Sequence, residues 1–217
     1  MDKAAGKARG KKTATKTTKS RRRNRPSPRD RLLAGATALF STEGIRVIGI
    51  DRILREADVA KASLYSLYGS KDALVIAYLE SLDTQWRATY EQRIAGLHAP
   101  EEKILAFFDQ CIAEQPDKGY RGSLFQNAAN EYPLPETDSE KDIVAAVMAH
   151  RNWCLDTMTT LLTQKNGYPS TSQAQQLLIL LDGGLAGSRL SRSVEALRIA
   201  RDMADEMLSA PPADYSI

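Results

Sequence analysis

The sequence predicts an all-α protein of about nine helices, with a three-helix unit of helix-turn-helix type at the N-terminal end and a larger helical part after it. Apolar residues recur at helical spacing from Leu32 to Leu208. The periodic stretches are separated by stop signals at Gly44, Asp58, Gly69, Pro100, Pro116 to Gly122, and Pro133 with Pro135. The stretch from Ile50 to Leu74, IDRILREADVAKASLYSLYGSKDAL, lays out two short helices, a tight turn between them and the start of a third. That layout presents the second helix of the pair to the major groove of DNA.

The 217 residues are 42% hydrophobic, enough for a real core, and carry a net charge of +3. Charge is unevenly placed. Residues 1–28 hold 11 Lys/Arg against one acid, 11 − 1 = +10, which leaves 3 − 10 = −7 for the rest. That segment has no large apolar residue beyond Met1 and closes with Pro26 and Pro28, so it is expected to be a disordered basic arm. Beside a DNA-binding unit, its cations would neutralise phosphates or reach the minor groove. Two cysteines, Cys111 and Cys154, without CxxC spacing, are too few for a secreted scaffold, and no apolar run is long enough to span a bilayer. A cytoplasmic protein without membrane insertion is the expectation.

The first helix runs from Arg29 to Glu43, with Leu32, Leu33, Leu39 and Phe40 on its packed side and Gly44 as its stop. The second, Ile50 to Ala57, packs through Ile50, Ile53, Leu54 and Ala57 and leaves Arg52 outside; Asp58 turns the chain. The third, Ala60 to Leu67, is anchored by Val59 and Leu64 and offers Lys61, Ala62, Ser63, Tyr65 and Ser66 to DNA. Ser70 caps the next helix, whose free N–H groups together with Lys71 make an expected phosphate site. Arg29 joins this set near the arm, and Tyr68 is expected to pack inward.

Residues 29–79 resemble the DNA-binding domain of the tetracycline-repressor (TetR) family of bacterial regulators. The likeness rests on ALF-STEG in the first helix, the I-x-x-I-x-x-x-A-x-V frame from Ile50 to Val59, and SLYSLYGSKDAL from Ser63 to Leu74. It implies a homodimer in which residues 29–74 form the DNA-binding domain and residues 75–217 bind a small molecule and dimerise. Binding that effector would release a pseudo-palindromic operator. By position, Lys61, Ala62 and Ser63 would face bases, while Tyr65 and Lys71 would hold phosphates. Ile48 and Gly49, Asp58, Ala60 and Ser66-Leu67 depart from the usual family residues, so some usual phosphate contacts are missing.

A long helix from Lys71 to Leu97 leaves the DNA-binding unit through Leu74, Tyr78, Leu82, Trp86 and Ile94, and is the expected mechanical link. Helices follow at Glu101 to Gln115, in GSLFQNAANEY, and from Asp138 to Lys165. The resemblance places the effector cavity here. The expected walls are Phe107, Phe108, Cys111, Phe125, Trp153, Cys154 and Met158, with Asn127 and His150 as polar anchors for a small, largely hydrophobic effector. His150 and Cys154 stand at i and i+4, but two residues are too few for a metal site. Neither metal nor cofactor is expected.

The last two helices, Gln173 to Arg189 and Val194 to Leu208, carry Gly183, Gly184 and Gly187, which imply close approach of another helix. By the resemblance this pair meets its twofold mate, with Leu181, Gly184, Gly187, Leu197 and Ala204 at the dimer interface. No nucleophile–base set, glycine-rich phosphate loop or metal-ligand cluster points to an enzyme. The expected partners are a double-stranded DNA operator, a small-molecule effector and a second copy of the chain. The rival expectation is a compacting protein that coats DNA through the basic arm without sequence preference.

Overall fold

The computed structural model describes residues 25–210, so the expectations for most of the basic arm and for the extreme C-terminal tail lie outside the described residues. Within them the chain forms nine α-helices and no strand. Helix α1 spans Pro28–Glu43, α2 Ile50–Ala57, α3 Lys61–Tyr68, α4 Lys71–Ile94, α5 Pro100–Glu114, α6 Leu124–Glu131, α7 Asp138–Asn166, α8 Thr171–Ser191 and α9 Glu195–Ser209.

Local chemistry explains most of these limits. Ser27 and Asp30 form a reciprocal capping box at the start of α1, with Pro28 in its first turn, and Gly44 ends it at φ 109°. Asp58 closes α2 in the left-handed region, φ 49° and ψ 55°, a place where glycine meets no steric cost. Helix α3 starts one residue later than expected because Ala60 is extended and offers no capping oxygen. Ser70, Ser123 and Thr137 cap α4, α6 and α7 through their side chains.

Two buried clusters hold the chain together. One joins α1, α2, Leu64 of α3 and the first turns of α4 to Phe125 and Ala128 of α6, Tyr132, and Ile143 and Val147 of α7. The other joins Tyr90 of α4 to α5, the later part of α7, α8 and α9. The seam between them crosses α4 and α7 rather than falling at residue 74, so α6 and the start of α7 are built into the core of the N-terminal unit. At 24 residues, α4 is roughly 36 Å long, enough to have one end in each cluster.

The glycines of α8 bring a neighbouring helix close. Leu181, Leu197 and Ala204 are buried inside the single chain, and a Cβ on Gly184 would lie 3.0 Å from Leu197 Cδ2 and 3.1 Å from Ala200 Cβ. On Gly187 it would come within 2.6 Å of Ala196 Cβ. Gly184 and Gly187 thus bring α8 against α9 of their own chain, and Leu181, Leu197 and Ala204 lie in the same buried cluster. Gly183, by contrast, meets open space, and Ile179, Leu190, Ile199 and Met203 are the exposed apolar residues of the pair.

Candidate functional site

Helix α3 sits on the N-terminal core through Leu64, which is completely buried against the cluster that contains Ile53 and Leu54. The opposite side is open: Lys61, Ala62, Tyr65 and Ser66 are exposed and Ser63 is half-buried. Lys61 has only a loose ion pair, 3.8 Å from Asp51. A short helix with a buried anchor and an outer face of cation, small residue, hydroxyl and phenol suits base edges and phosphates.

Four other residues expected on DNA are engaged within the chain. The Lys71 ammonium donates to the Ile45 carbonyl at 2.7 Å, and burial pushes its pKa down. It closes the α1–α2 loop rather than waiting for a phosphate. Arg29 donates to the Leu67 carbonyl at 3.1 Å and lies over the Tyr68 ring, whose hydroxyl donates back to the Arg29 carbonyl. Arg52 pairs with Glu43 through both guanidinium nitrogens. Ser70 Oγ accepts from the Ala73 amide, as a cap does. For Lys71, Arg29 and Ser70 the physical reason is shared: the segments between α1 and α4 carry unpaired backbone groups that nearby side chains satisfy.

Sequence reasoning missed the residue that makes the tightest link to this unit. Glu131, at the end of α6, accepts from the Ile45 amide at 2.9 Å and the Arg46 amide at 2.6 Å. Beside it, Arg46 reaches Glu140 and lies over the Tyr132 ring, and Ser139 donates to Asp72. Arg31 donates to the carbonyls of Ala57 and Asp58.

A cavity of about 360 Å³ lies among α4, α5, α6, α7 and α8. Leu82, Trp86, Phe125, Leu178 and Leu185 form apolar wall, and Cys111, His150 and Cys154 also line it. Four expected wall residues do not. Phe107, Phe108 and Met158 have no exposed surface and belong to the solid core, and Trp153 packs on Phe107 with Arg87 over its ring. Asn127 is turned away, donating to the Arg121 carbonyl and accepting from Arg189. The cavity is also more polar than expected. Arg151 and Gln126 share the Asp182 carboxylate, and Lys118 pairs with Glu114.

His150 stands where α4, α6 and α7 meet at this cavity. Its Nδ1–H donates to Asp83 of α4 at 2.7 Å, and its ring stacks on Phe125 of α6 at 3.8 Å between centroids. Burial pushes its pKa down, opposed by the hydrogen bond it donates to Asp83, so the neutral ring is favoured. The Cys111 thiol is pushed up to about 12 by burial, and Cys154 rises for the same reason, which leaves both as inert hydrophobes rather than thiolates. Among the described residues no group of three or more His, Cys, Asp or Glu could hold a metal ion, and no helix is long and apolar enough to cross a membrane.

Comparison with known proteins agrees with this geometry. The model of the family described as "Bacterial regulatory proteins, tetR family" matches residues 32–78. A crystal structure of a TetR-family transcriptional regulator from Streptomyces coelicolor superposes with a TM-score of 0.75 and 34% identity, over 83% of this chain and 94% of that one. The HTH-type transcriptional repressor NemR of Escherichia coli is 26% identical over 198 residues, 84% of this chain and 94% of NemR. The HTH-type transcriptional activator FasR of Mycolicibacterium smegmatis is 27% identical over 154 residues, 67% of this chain and 65% of FasR.

Proposed function

The chain belongs to the TetR family of DNA-binding transcriptional regulators, and from that premise we propose that it is a repressor that binds a pseudo-palindromic operator as a homodimer and leaves it when a small effector fills the cavity. The observation that carries this reading is the placement of the cavity at one end of two helices whose other ends hold the DNA-binding unit. Helix α4 lines the cavity with Leu82, Gln85, Trp86 and Thr89, and its first turn holds the α1–α2 loop through Lys71. Helix α6 lines it with Leu124, Phe125 and Gln126, and its far end grips the same loop through Glu131. An effector that moves either helix shifts the loop and hence the spacing of two α3 helices across a dimer.

The lining suits a largely apolar molecule bearing a polar group, with Trp86 and Phe125 for its body and the Arg151–Asp182–Gln126 cluster for its head. On α8, Ile179, Gly183, Ala186 and Leu190 stand at i, i+4, i+7 and i+11, one outward stripe, and Ile199 and Met203 continue it on α9. An isologous contact of this stripe with its twofold copy would form a four-helix interface. Light scattering is expected to give a dimer for the wild type and a monomer for the chain carrying both Ile199→Glu and Met203→Glu. The protein would act in the cytoplasm, where its DNA is.

The basic arm favours one second reading, a compacting protein that coats DNA evenly. Footprinting on the DNA upstream of the protein's own coding region separates the two: a regulator protects a palindrome, a compactor covers the fragment uniformly. Replacing both Lys61 and Tyr65 by Ala is expected to weaken operator binding by roughly 30-fold or more, from about 1–3 kcal/mol per contact. Undiminished affinity in that variant would mean that α3 is not the reading surface.

A further inference from the structure

Helix α8 carries a single charge in the stripe it turns to the cavity. Leu178, Leu181, Asp182 and Leu185 stand at i, i+3, i+4 and i+7 and all line it, and the three leucines are buried. A leucine in place of Asp182 would complete an apolar wall, whereas a half-buried carboxylate costs free energy unless it is paired. Its partners are Gln126, which donates an amide N–H at 2.7 Å, and Arg151. The pair is lopsided, the acid 27% exposed and the base 39%. The second pair of the lining repeats the pattern, with Glu114 at 22% and Lys118 at 40%. With Asp117 the lining holds three acids against two bases, beside a His150 ring favoured neutral. The acids are therefore the withdrawn charges of this cavity, and the bases are long, flexible side chains that cover them and have water to return to.

We propose that the cavity takes a lipophilic amine, whose protonated nitrogen replaces Arg151 on Asp182 while its apolar body lies against Trp86 and Phe125. This rests on the effector reading above and gives the effector's polar group its charge. Exchanging one cation for another keeps the Asp182 carboxylate paired, and the freed guanidinium regains water. Gln126 spends its amide N–H on Asp182, and its carbonyl oxygen accepts a second N–H of the ligand. The Trp86 ring adds the attraction of an aromatic face for a cation. An anion is served worse, because on Arg151 it would share one guanidinium with Asp182, two like charges side by side. A neutral alcohol finds the hydrogen bonds without the charge. The exchange also unties α7 from α8, since Arg151 belongs to the one helix and Asp182 to the other.

The test uses three probes with one body, phenylhexylamine, phenylhexanol and phenylhexanoic acid, titrated by calorimetry at neutral pH into the full chain, Asp182→Asn and Arg151→Ala without DNA. At that pH the amine is a cation and the acid an anion. The amine is expected to bind the full chain roughly ten-fold more tightly than the alcohol, as for a charge-assisted hydrogen bond, and the acid no better than the alcohol. Asp182→Asn, close to isosteric, should cut the advantage of the amine to about three-fold or less. Arg151→Ala removes the cation that the amine must displace and should strengthen amine binding by roughly three-fold or more, which a purely structural ion pair would not do. An acid that outbinds the amine, an advantage that survives in Asp182→Asn, an amine weakened by Arg151→Ala, or no amine binding at millimolar concentration would each overturn the proposal. Release from the protected palindrome is read apart from binding. An amine held through Asp182 that leaves the protein on its palindrome upholds the cation site and contradicts the effector reading. An acid that releases the protein where the amine does not overturns the proposal and leaves the effector reading standing.

Discussion

Around the α1–α2 and α2–α3 loops three charged side chains bond to backbone: Arg31 to the carbonyls of Ala57 and Asp58, Lys71 to that of Ile45, Glu131 to the amides of Ile45 and Arg46. Around the cavity the charged side chains bond to one another: His150 to Asp83, Arg151 to Asp182, Lys118 to Glu114. The difference separates a part that must keep its shape from a part that can change partners. A side chain that satisfies a backbone amide cannot let go without exposing or stranding that amide, so the loop follows the helix that holds it. A half-exposed pair of side chains can trade one partner for a ligand group at little cost. Coupling follows when a ligand rearranges the second kind of contact and a helix carries the result to the first.

The largest expected effect that would sharpen this contrast is at Glu131. Glu131→Ala strands two backbone amides and should lower unfolding free energy by about 2–3 kcal/mol in a urea titration, with Glu131→Gln recovering roughly half. A loss within experimental error would put the head and body in weaker contact than their hydrogen bonds imply.

The next effect is a pH dependence at His150. Burial holds its folded pKa below the unfolded one, so the unfolded chain binds more protons between the two values. Stability from the neutral ring is therefore present above the unfolded pKa, about 6.5, and is lost as pH falls through the window below it. His150→Phe, which keeps the stacking on Phe125, should flatten that acid limb of a Tm-against-pH curve; an identical limb in both proteins would assign it elsewhere.

The smallest effect is expected at Arg151, 39% exposed by its side chain. Arg151→Ala should change stability by no more than about 1 kcal/mol, in keeping with a surface-type pair. A loss as large as that at Glu131 would break the distinction between the two regions.

The helices were legible in the sequence because they are local. Capping residues, turn residues and the 3.6-residue rhythm sit within a few positions of what they determine, and the Ile50–Ala57 helix was predicted to the residue. Contacts across the chain leave no such trace. Glu131 and Ile45 are 86 positions apart, and nothing around Glu131 distinguishes it from an ordinary exposed acid at a helix end. Lys71 looked like a phosphate ligand because its partner, the Ile45 carbonyl, is a backbone atom that every residue has. In the cavity, a wall such as Phe125 and a solid-core residue such as Phe108 share the same periodicity, so pattern could not sort them. The α8 glycines did signal close helix packing, but the pattern does not say whether the approaching helix belongs to the same chain or to its mate; Gly184 and Gly187 meet their own α9.

The central claim, that the cavity and the DNA-binding unit are linked through α4 and α6, is tested most directly by amide hydrogen exchange at Ile45 and Arg46. His150→Ala removes the ring that joins α4 to α6 at the cavity and leaves every contact of the α1–α2 loop in place. If the link holds, these two amides lose protection by roughly ten-fold, about 1.4 kcal/mol, while amides of α9 keep theirs. Unchanged exchange at Ile45 and Arg46 in that variant would mean that the two ends of the molecule are energetically independent.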